Sequence, residues 1–110
     1  MKISTLQSLP FQSISHDQDL KKQVFLKAGD VPNLTQFART SMRPGQKVEP
    51  HTHSDMTEIF YIERGEGRFG INGKWHEVRA GTFLAVEPGE EHEVIATGDE
   101  ELVMVYFGVV

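Results

Sequence analysis

The chain lacks cysteine, and this absence excludes several kinds of chemistry. Without a thiol the protein forms no disulfide, has no cysteine nucleophile and binds no zinc through sulfur. A cysteine-free chain fits a reducing compartment, so we expect a cytoplasmic location. The first residues contain no continuous apolar stretch of signal-peptide length, which agrees with that expectation.

Positive charge and long apolar runs are also scarce. Lys and Arg total 11 against 16 Asp and Glu, which gives a formal net charge of −5. Nucleic-acid binding needs a basic stripe, and none is visible, so we expect no nucleic-acid partner. The longest apolar run, Leu102 to Phe107, is far shorter than the roughly 20 residues of a membrane span, so we expect no membrane partner.

Helical periodicity is missing after residue 22. With 110 residues and 38% hydrophobic content, the chain has enough apolar surface for one core. From about Val24 onward, short segments rich in Val, Ile, Phe and Thr alternate with Gly-containing turn signals. This pattern predicts an all-β sandwich or barrel. We therefore expect an N-terminal segment, 1–22, followed by a β-barrel domain, 23–110.

Two hairpins are predicted from turn chemistry. Asn72-Gly73 lies between two strand-like segments and suits a type I′ turn, in which both central residues have positive φ. A second hairpin is expected to join 82–86 to 92–96 through a loop that contains Pro88-Gly89. Strand alternation places His92 on the same face as Val94.

Three histidines and one glutamate form a candidate metal site. His51 and His53 are two residues apart, so on a strand both rings point to one face. Glu58 begins a row of otherwise apolar side chains, where an unpaired carboxylate is costly. A break at Ser54-Asp55-Met56 is needed for Glu58 to rejoin the histidines. His92 follows the Pro-Gly loop, from which a neighbouring strand brings it to the same place.

Spacing alone leaves two interpretations open. Three imidazole nitrogens and one carboxylate oxygen suit Mn, Fe, Ni, Co, Cu or Zn, and an octahedral ion would keep two open positions. Alternatively, the pattern consists of two exposed strand histidines, a loop histidine and a solvated carboxylate, with no metal bound.

Other polar residues have weaker claims. His76 is expected at an exposed strand end, and His16 is expected to be solvated in the polar N-terminal segment. Arg39 and Arg68 lie in predicted strands, where either could bind an anionic substrate or form an ordinary surface contact.

The order and spacing of these residues resemble the first motif of the cupin family. That motif has Gly, five residues, His-x-His, three or four residues, Glu, six residues and Gly. Here it is matched by Gly45, His51, His53, Glu58 and Gly65.

The second cupin motif is matched less completely. Gly81, Gly89 and His92 fit, but Pro88 comes one position later than in the motif, and Ala96 replaces its asparagine. Together the motifs span 45–96. The resemblance implies a double-stranded β-helix, or jelly-roll barrel, and it implies that one divalent metal ion is bound by the ligand set His51, His53, Glu58 and His92.

The resemblance also sets functional expectations. Cupins include dioxygenases, decarboxylases, isomerases and lyases, so a small metalloenzyme acting on an oxygen-rich organic molecule is expected. The alternative is a non-enzymatic ligand-binding or sensing protein with a structural or recognition metal. A homodimer is expected because a short β chain exposes sheet edges, with 23–27 and 102–110 as candidate contacts. The resemblance also implies that the segment 1–22 contributes a strand to the dimer partner.

Overall fold

Segments rich in β-branched and aromatic residues form the strands of this protein, as the sequence predicts. The computed structural model describes residues 1–14 and 17–110, so His16 lies outside the described residues. No helix in this described part is long and apolar enough to cross a membrane. After one 3-10 turn at Leu6–Ser8, the strands are β1 (Phe11–Ile14), β2 (Asp17–Lys27), β3 (Leu34–Met42), β4 (Lys47–His51), β5 (Thr57–Arg64), β6 (Glu66–Ile71), β7 (Lys74–Arg79), β8 (Phe83–Val86), β9 (His92–Thr97) and β10 (Leu102–Val109).

The strands form two antiparallel sheets. One has six strands in the order β1-β2-β3-β10-β5-β8, and the other has four in the order β4-β9-β6-β7. Consecutive strands switch between the sheets several times, as in a jelly roll. The core therefore lies between the two inner faces.

Strand alternation decides which side chains enter that core. In β5, Phe60 and Ile62 are buried while Tyr61 between them is exposed. In β9, Val94 and Ala96 are buried on the same face as His92, as predicted. The largest fully buried side chains come from both sheets and are Phe69, Leu20, Met42, Ile62, Leu102, Val103 and Thr40.

The Asn72-Gly73 hairpin is confirmed. It joins β6 to β7, and the two turn residues have φ values of 50° and 81°. Both central residues have the positive φ that a type I′ turn requires.

The second predicted hairpin is wrong. β8 pairs with β5 in the six-stranded sheet, whereas β9 pairs with β4 and β6 in the four-stranded sheet. The Pro88-Gly89 loop reverses the chain, but it carries the chain from one sheet to the other. Turn chemistry specifies the reversal and does not specify which strand becomes the partner.

The two ends of the chain both contribute to the six-stranded sheet. β2 continues across the expected boundary between residues 22 and 23, and it pairs with β3 of the same chain. β10 lies between β3 and β5, and Leu102, Val103 and Met104 are at most 3% exposed. Most of the apolar tail is therefore buried within the chain, and only the outward side chains of β10 remain for a partner.

Candidate metal centre

Two of the histidines come from adjacent strands. His51 is the last residue of β4 and His92 is the first residue of β9, and the two are register partners. Their ring centroids lie 4.1 Å apart. This pairing brings together two residues that are 41 positions apart in the sequence.

The other two residues reach the same place through the predicted break. β4 ends at His51, so His53 lies in the connection, and β5 begins only at Thr57. Glu58 then points inward from the six-stranded sheet and is 6% exposed. The four side chains consequently lie between the two sheets, at one end of the core.

The ligand atoms of the four residues all lie within 4.8 Å of one another. The Oε1 atom of Glu58 is 3.3 Å from Nε2 of His92 and 3.6 Å from Nε2 of His53. At a metal–ligand distance of about 2.1 Å, ligands at right angles lie about 3.0 Å apart and opposite ligands about 4.2 Å apart. The 4.8 Å limit exceeds the larger of these values by about 0.6 Å, so small side-chain movements would bring the four donors to one ion.

Backbone carbonyl groups orient two of the rings. Nδ1 of His51 donates to the carbonyl oxygen of Glu49 at 2.9 Å, and Nδ1 of His92 donates to that of Glu90 at 3.1 Å. A neutral ring that donates from Nδ1 has its lone pair on Nε2. For His92 that lone pair faces the Glu58 carboxylate, so a cation is needed between two acceptors. A proton fills that role, and a divalent metal ion would fill it as well.

Burial and charge shift the pKa of two of these histidines in opposite directions. For His92, burial alone would lower the pKa, but the hydrogen bonds to Glu58 and to the Glu90 backbone outweigh it and raise the pKa. For His53, burial lowers the pKa, and the neighbouring histidines lower it further against the attraction of Glu58. A neutral His53 is ready to serve as a ligand.

Hydrogen bonds from the loops fix the positions of the candidate ligands. The N–H of Gly89 donates to the carbonyl of His53 at 2.8 Å, which ties the Pro-Gly loop to the first motif. The N–H of Asn72 donates to the carbonyl of Glu91, and the N–H of Glu91 donates back to Oδ1 of Asn72 at 2.9 Å. The hairpin tip therefore holds the residue just before His92.

The four residues line a cavity of about 150 Å³ between the sheets. This volume is well below the 300–1,000 Å³ or so of a typical drug-sized pocket, so the cavity suits a molecule of a few non-hydrogen atoms. Phe60 and Phe69 form part of its wall, with ring centroids 5.0 Å apart.

Thr40 and Tyr106 add two hydroxyl groups to the cavity lining, 3.2 Å apart. Burial raises the pKa of Tyr106, which keeps its proton and remains a hydrogen-bond donor.

The two arginines singled out in the sequence are engaged elsewhere. Arg39 forms a two-pronged ion pair with Glu63, with donor–acceptor distances of 2.9 and 3.2 Å. Arg68 pairs with Glu77 at 2.8 Å. Neither arginine lines the cavity, so both have the surface role that was the alternative. His76 is exposed, as expected, but it lies within β7 rather than at a strand end.

One cavity residue was missed in the sequence. Lys22 lines the same cavity as the histidines and Glu58. A signal was present, because Lys22 alternates with Leu20 and Val24 and therefore shares their inward face. Reading residues 1–22 as a separate polar segment concealed it.

Comparison with known proteins establishes the family. Residues 38–108 match the family model described as the cupin domain, and the chain belongs to the cupin family.

One curated relative is the oxalate-binding protein of Thermotoga maritima. It is 41% identical over 66 residues, which are 60% of this chain and 54% of the relative. The match thus spans only about half of that relative's length.

Solved structures share the whole fold. A crystal structure from Thermotoga maritima, described as a predicted oxalate decarboxylase, has a TM-score of 0.90 and 26% identity, and the match covers 99% of both chains. The cupin domain of Schizosaccharomyces pombe Cnp3 has a TM-score of 0.82 and 18% identity, and it covers 96% of this chain and 72% of that one. The predicted double-stranded β-helix, or jelly-roll barrel, is confirmed.

Proposed function

We propose that this protein is a metal-dependent cupin that binds a small carboxylate and acts on it as a metalloenzyme. The observation that carries the proposal is the convergence of His51, His53, Glu58 and His92 on one wall of a small cavity. The Thermotoga maritima proteins support a small carboxylate as ligand, since one is named for oxalate binding and the other for oxalate decarboxylation.

The chain's own groups have distinct roles in this proposal. The three histidines and Glu58 hold the metal, which polarises a ligand oxygen as a Lewis acid when it is bound. The hydroxyl of Tyr106 holds its proton and donates a hydrogen bond to a carboxylate oxygen in the cavity. Phe60 and Phe69 exclude water from that wall, which strengthens both interactions.

Decarboxylation is the reaction class that these two relatives suggest first. Oxalate and one proton would give formate and carbon dioxide. Dioxygenase, isomerase and lyase chemistry are the other classes expected of a small cupin. The second candidate is ligand binding or sensing without turnover, with a recognition metal, and the name of the oxalate-binding relative favours it.

One experiment separates the two candidates. Metal-loaded protein is mixed with oxalate, binding is measured by calorimetry, and formate and carbon dioxide are measured as products. The variant His51→Ala/His53→Ala should lose both binding and turnover, whereas His76→Ala, at an exposed histidine of β7, should keep them. Binding without products supports the second candidate. Oxalate binding that survives in the double variant would contradict the metal-dependent site.

We also propose that the protein forms a homodimer through the outer face of the six-stranded sheet. Tyr61 and Phe83 are register partners on that face and are 50% and 76% exposed. Phe25 and Phe37 add two packed rings, with centroids 4.8 Å apart. An apolar sheet face of this kind favours association. Sedimentation equilibrium at micromolar concentration should give twice the 12.4 kDa chain mass, and a single-chain mass would contradict the proposal.

Exchange of the N-terminal segment 1–22 between two copies stays a prediction. So do the cytoplasmic location and the absence of nucleic-acid and membrane partners.

A further inference from the structure

Lys22 occupies a position where a positive charge is unusual. It lies on β2 opposite Thr40 of β3, whose side chain is 1% exposed. Its neighbours on the same face of β2 are Leu20 and Val24, which pack in or against the core. Lys22 itself is half-buried, so its ammonium group has lost part of its hydration and gains when an acceptor or an anion binds it.

The partner of Lys22 satisfies only part of this requirement. Its Nζ atom donates one hydrogen bond to Oε1 of Gln36, at 2.9 Å. The ammonium group has three protons, and an amide oxygen carries no formal charge. No ion pair between Lys22 and a carboxylate occurs among the residues that the structure describes. Glu93 also borders the cavity, but its side chain packs beside Gly70.

The position of Lys22 between two cavities allows its charge to interact with a ligand. Lys22, Gln36 and Met56 border both the cavity lined by the three histidines and Glu58 and an adjoining outer cavity of about 510 Å³. A ligand that passes between the two meets the ammonium group. Lysine in such a place attracts and holds an anion.

We propose that Lys22 binds one end of a small dianion, a dicarboxylate or a carboxylate with a second acidic group, whose other end binds the metal. This inference rests on the proposed function. Three neutral imidazoles and one carboxylate leave a bound divalent ion with one net positive charge, and Lys22 adds a second. Two separated positive centres match a dianion better than a monoanion. Because the cavity is small, the two acidic groups of that dianion must lie close together.

Calorimetric titration of the metal-loaded protein with oxalate, malonate and acetate tests this role. Lys22→Met should weaken the binding of the dianion that the wild type prefers by about tenfold or more, because a charge-assisted hydrogen bond is lost. Acetate affinity should change less than about twofold, since acetate has only the metal-bound end. Lys22→Arg should restore much of the dianion affinity. The control is Lys21→Met, since Lys21 is exposed and bonded to Ser13 at 3.3 Å.

The outcomes distinguish the two proposals. If the wild type binds a dianion and Lys22→Met binds it equally well at the same metal content, the role of Lys22 is refuted while the metal-dependent function stands. Equal losses for acetate and the dianions would also refute charge selection. If the metal-loaded wild type binds none of the three anions, both proposals are refuted.

Discussion

Replacing Glu58 by Gln should change stability in opposite directions with and without metal. Glu58 is 6% exposed, and its carboxylate faces the Nε2 atoms of His92 and His53 at 3.3 and 3.6 Å. At a pH where His92 is neutral, this buried charge has no cationic partner in the metal-free protein and is costly, whereas a glutamine amide can donate to Nε2 of His92. We therefore expect metal-free Glu58→Gln to be at least as stable as the metal-free wild type.

With metal the order should reverse, and linkage gives the size of the effect. At a free metal concentration of about 100 times the wild-type Kd, binding stabilises the wild type by about 2.7 kcal/mol. Removing a residue that only orients a metal ligand weakens metal affinity about 10- to 100-fold. Removing a ligand itself should therefore weaken metal affinity at least about 100-fold. The stabilisation of Glu58→Gln then falls to about 0.4 kcal/mol.

Thermal unfolding measures this difference directly. An unfolding entropy of about 2.1 cal/mol/K per residue over 110 residues converts these free energies to rises in Tm of about 12 °C and about 2 °C. Each of Mn, Fe, Ni, Co, Cu and Zn is added in turn, and the ion with the largest wild-type rise is used. Glu100→Gln, an exposed carboxylate before β10, should behave as the wild type. The reasoning is refuted if Glu58→Gln shows the same metal-induced rise as the wild type.

Two further predictions concern the fold and its pH dependence. Gly65 and Gly73 have φ values of 86° and 81°, but a Cβ at Gly65 would lie 2.9 Å from the backbone of Leu102, whereas Gly73 has open space. Urea unfolding should therefore show a loss of about 1 kcal/mol for Gly73→Ala and a further 1–3 kcal/mol or so for Gly65→Ala, and equal losses would contradict this. The hydrogen bond from Arg39 lowers the pKa of Glu63 in the folded protein. The pair therefore stabilises the fold at pH values above the pKa that Glu63 has in the unfolded chain, and this stabilisation is lost as pH falls through the lower pKa of the folded protein. Glu63→Gln should cost about 0.5 kcal/mol at neutral pH and progressively less in acid, and a cost that does not change with pH would contradict the assignment.

Local patterns in the sequence predicted the parts of the fold that depend on neighbouring residues. Alternation placed Glu58, Phe60 and Ile62 on one face of β5, and the turn-prone residues after His53 marked the break that lets Glu58 approach the histidines. Asn72-Gly73 forms the expected turn because its two residues tolerate positive φ.

Contacts between distant strands were not predictable in the same way. The partner of β9 is chosen by the packing of the two sheets, and the Pro88-Gly89 loop carries no information about it. Alternation with Leu20 and Val24 indicates the inward face of Lys22, but the polar composition of β2 obscures this pattern, and the cavity that Lys22 borders forms only once β3 lies beside β2. The Thr40–Tyr106 hydroxyl pair likewise needs the register of β3 with β10.

The central claim is that His51, His53, Glu58 and His92 hold one metal ion. Its most direct test is the metal content per chain, measured by inductively coupled plasma mass spectrometry on protein purified without chelator or nickel resin. The wild type should contain about one first-row divalent ion per chain, and His51→Ala/His53→Ala should contain almost none. A wild type without metal, even after reconstitution, or a double variant that keeps its metal would contradict the claim.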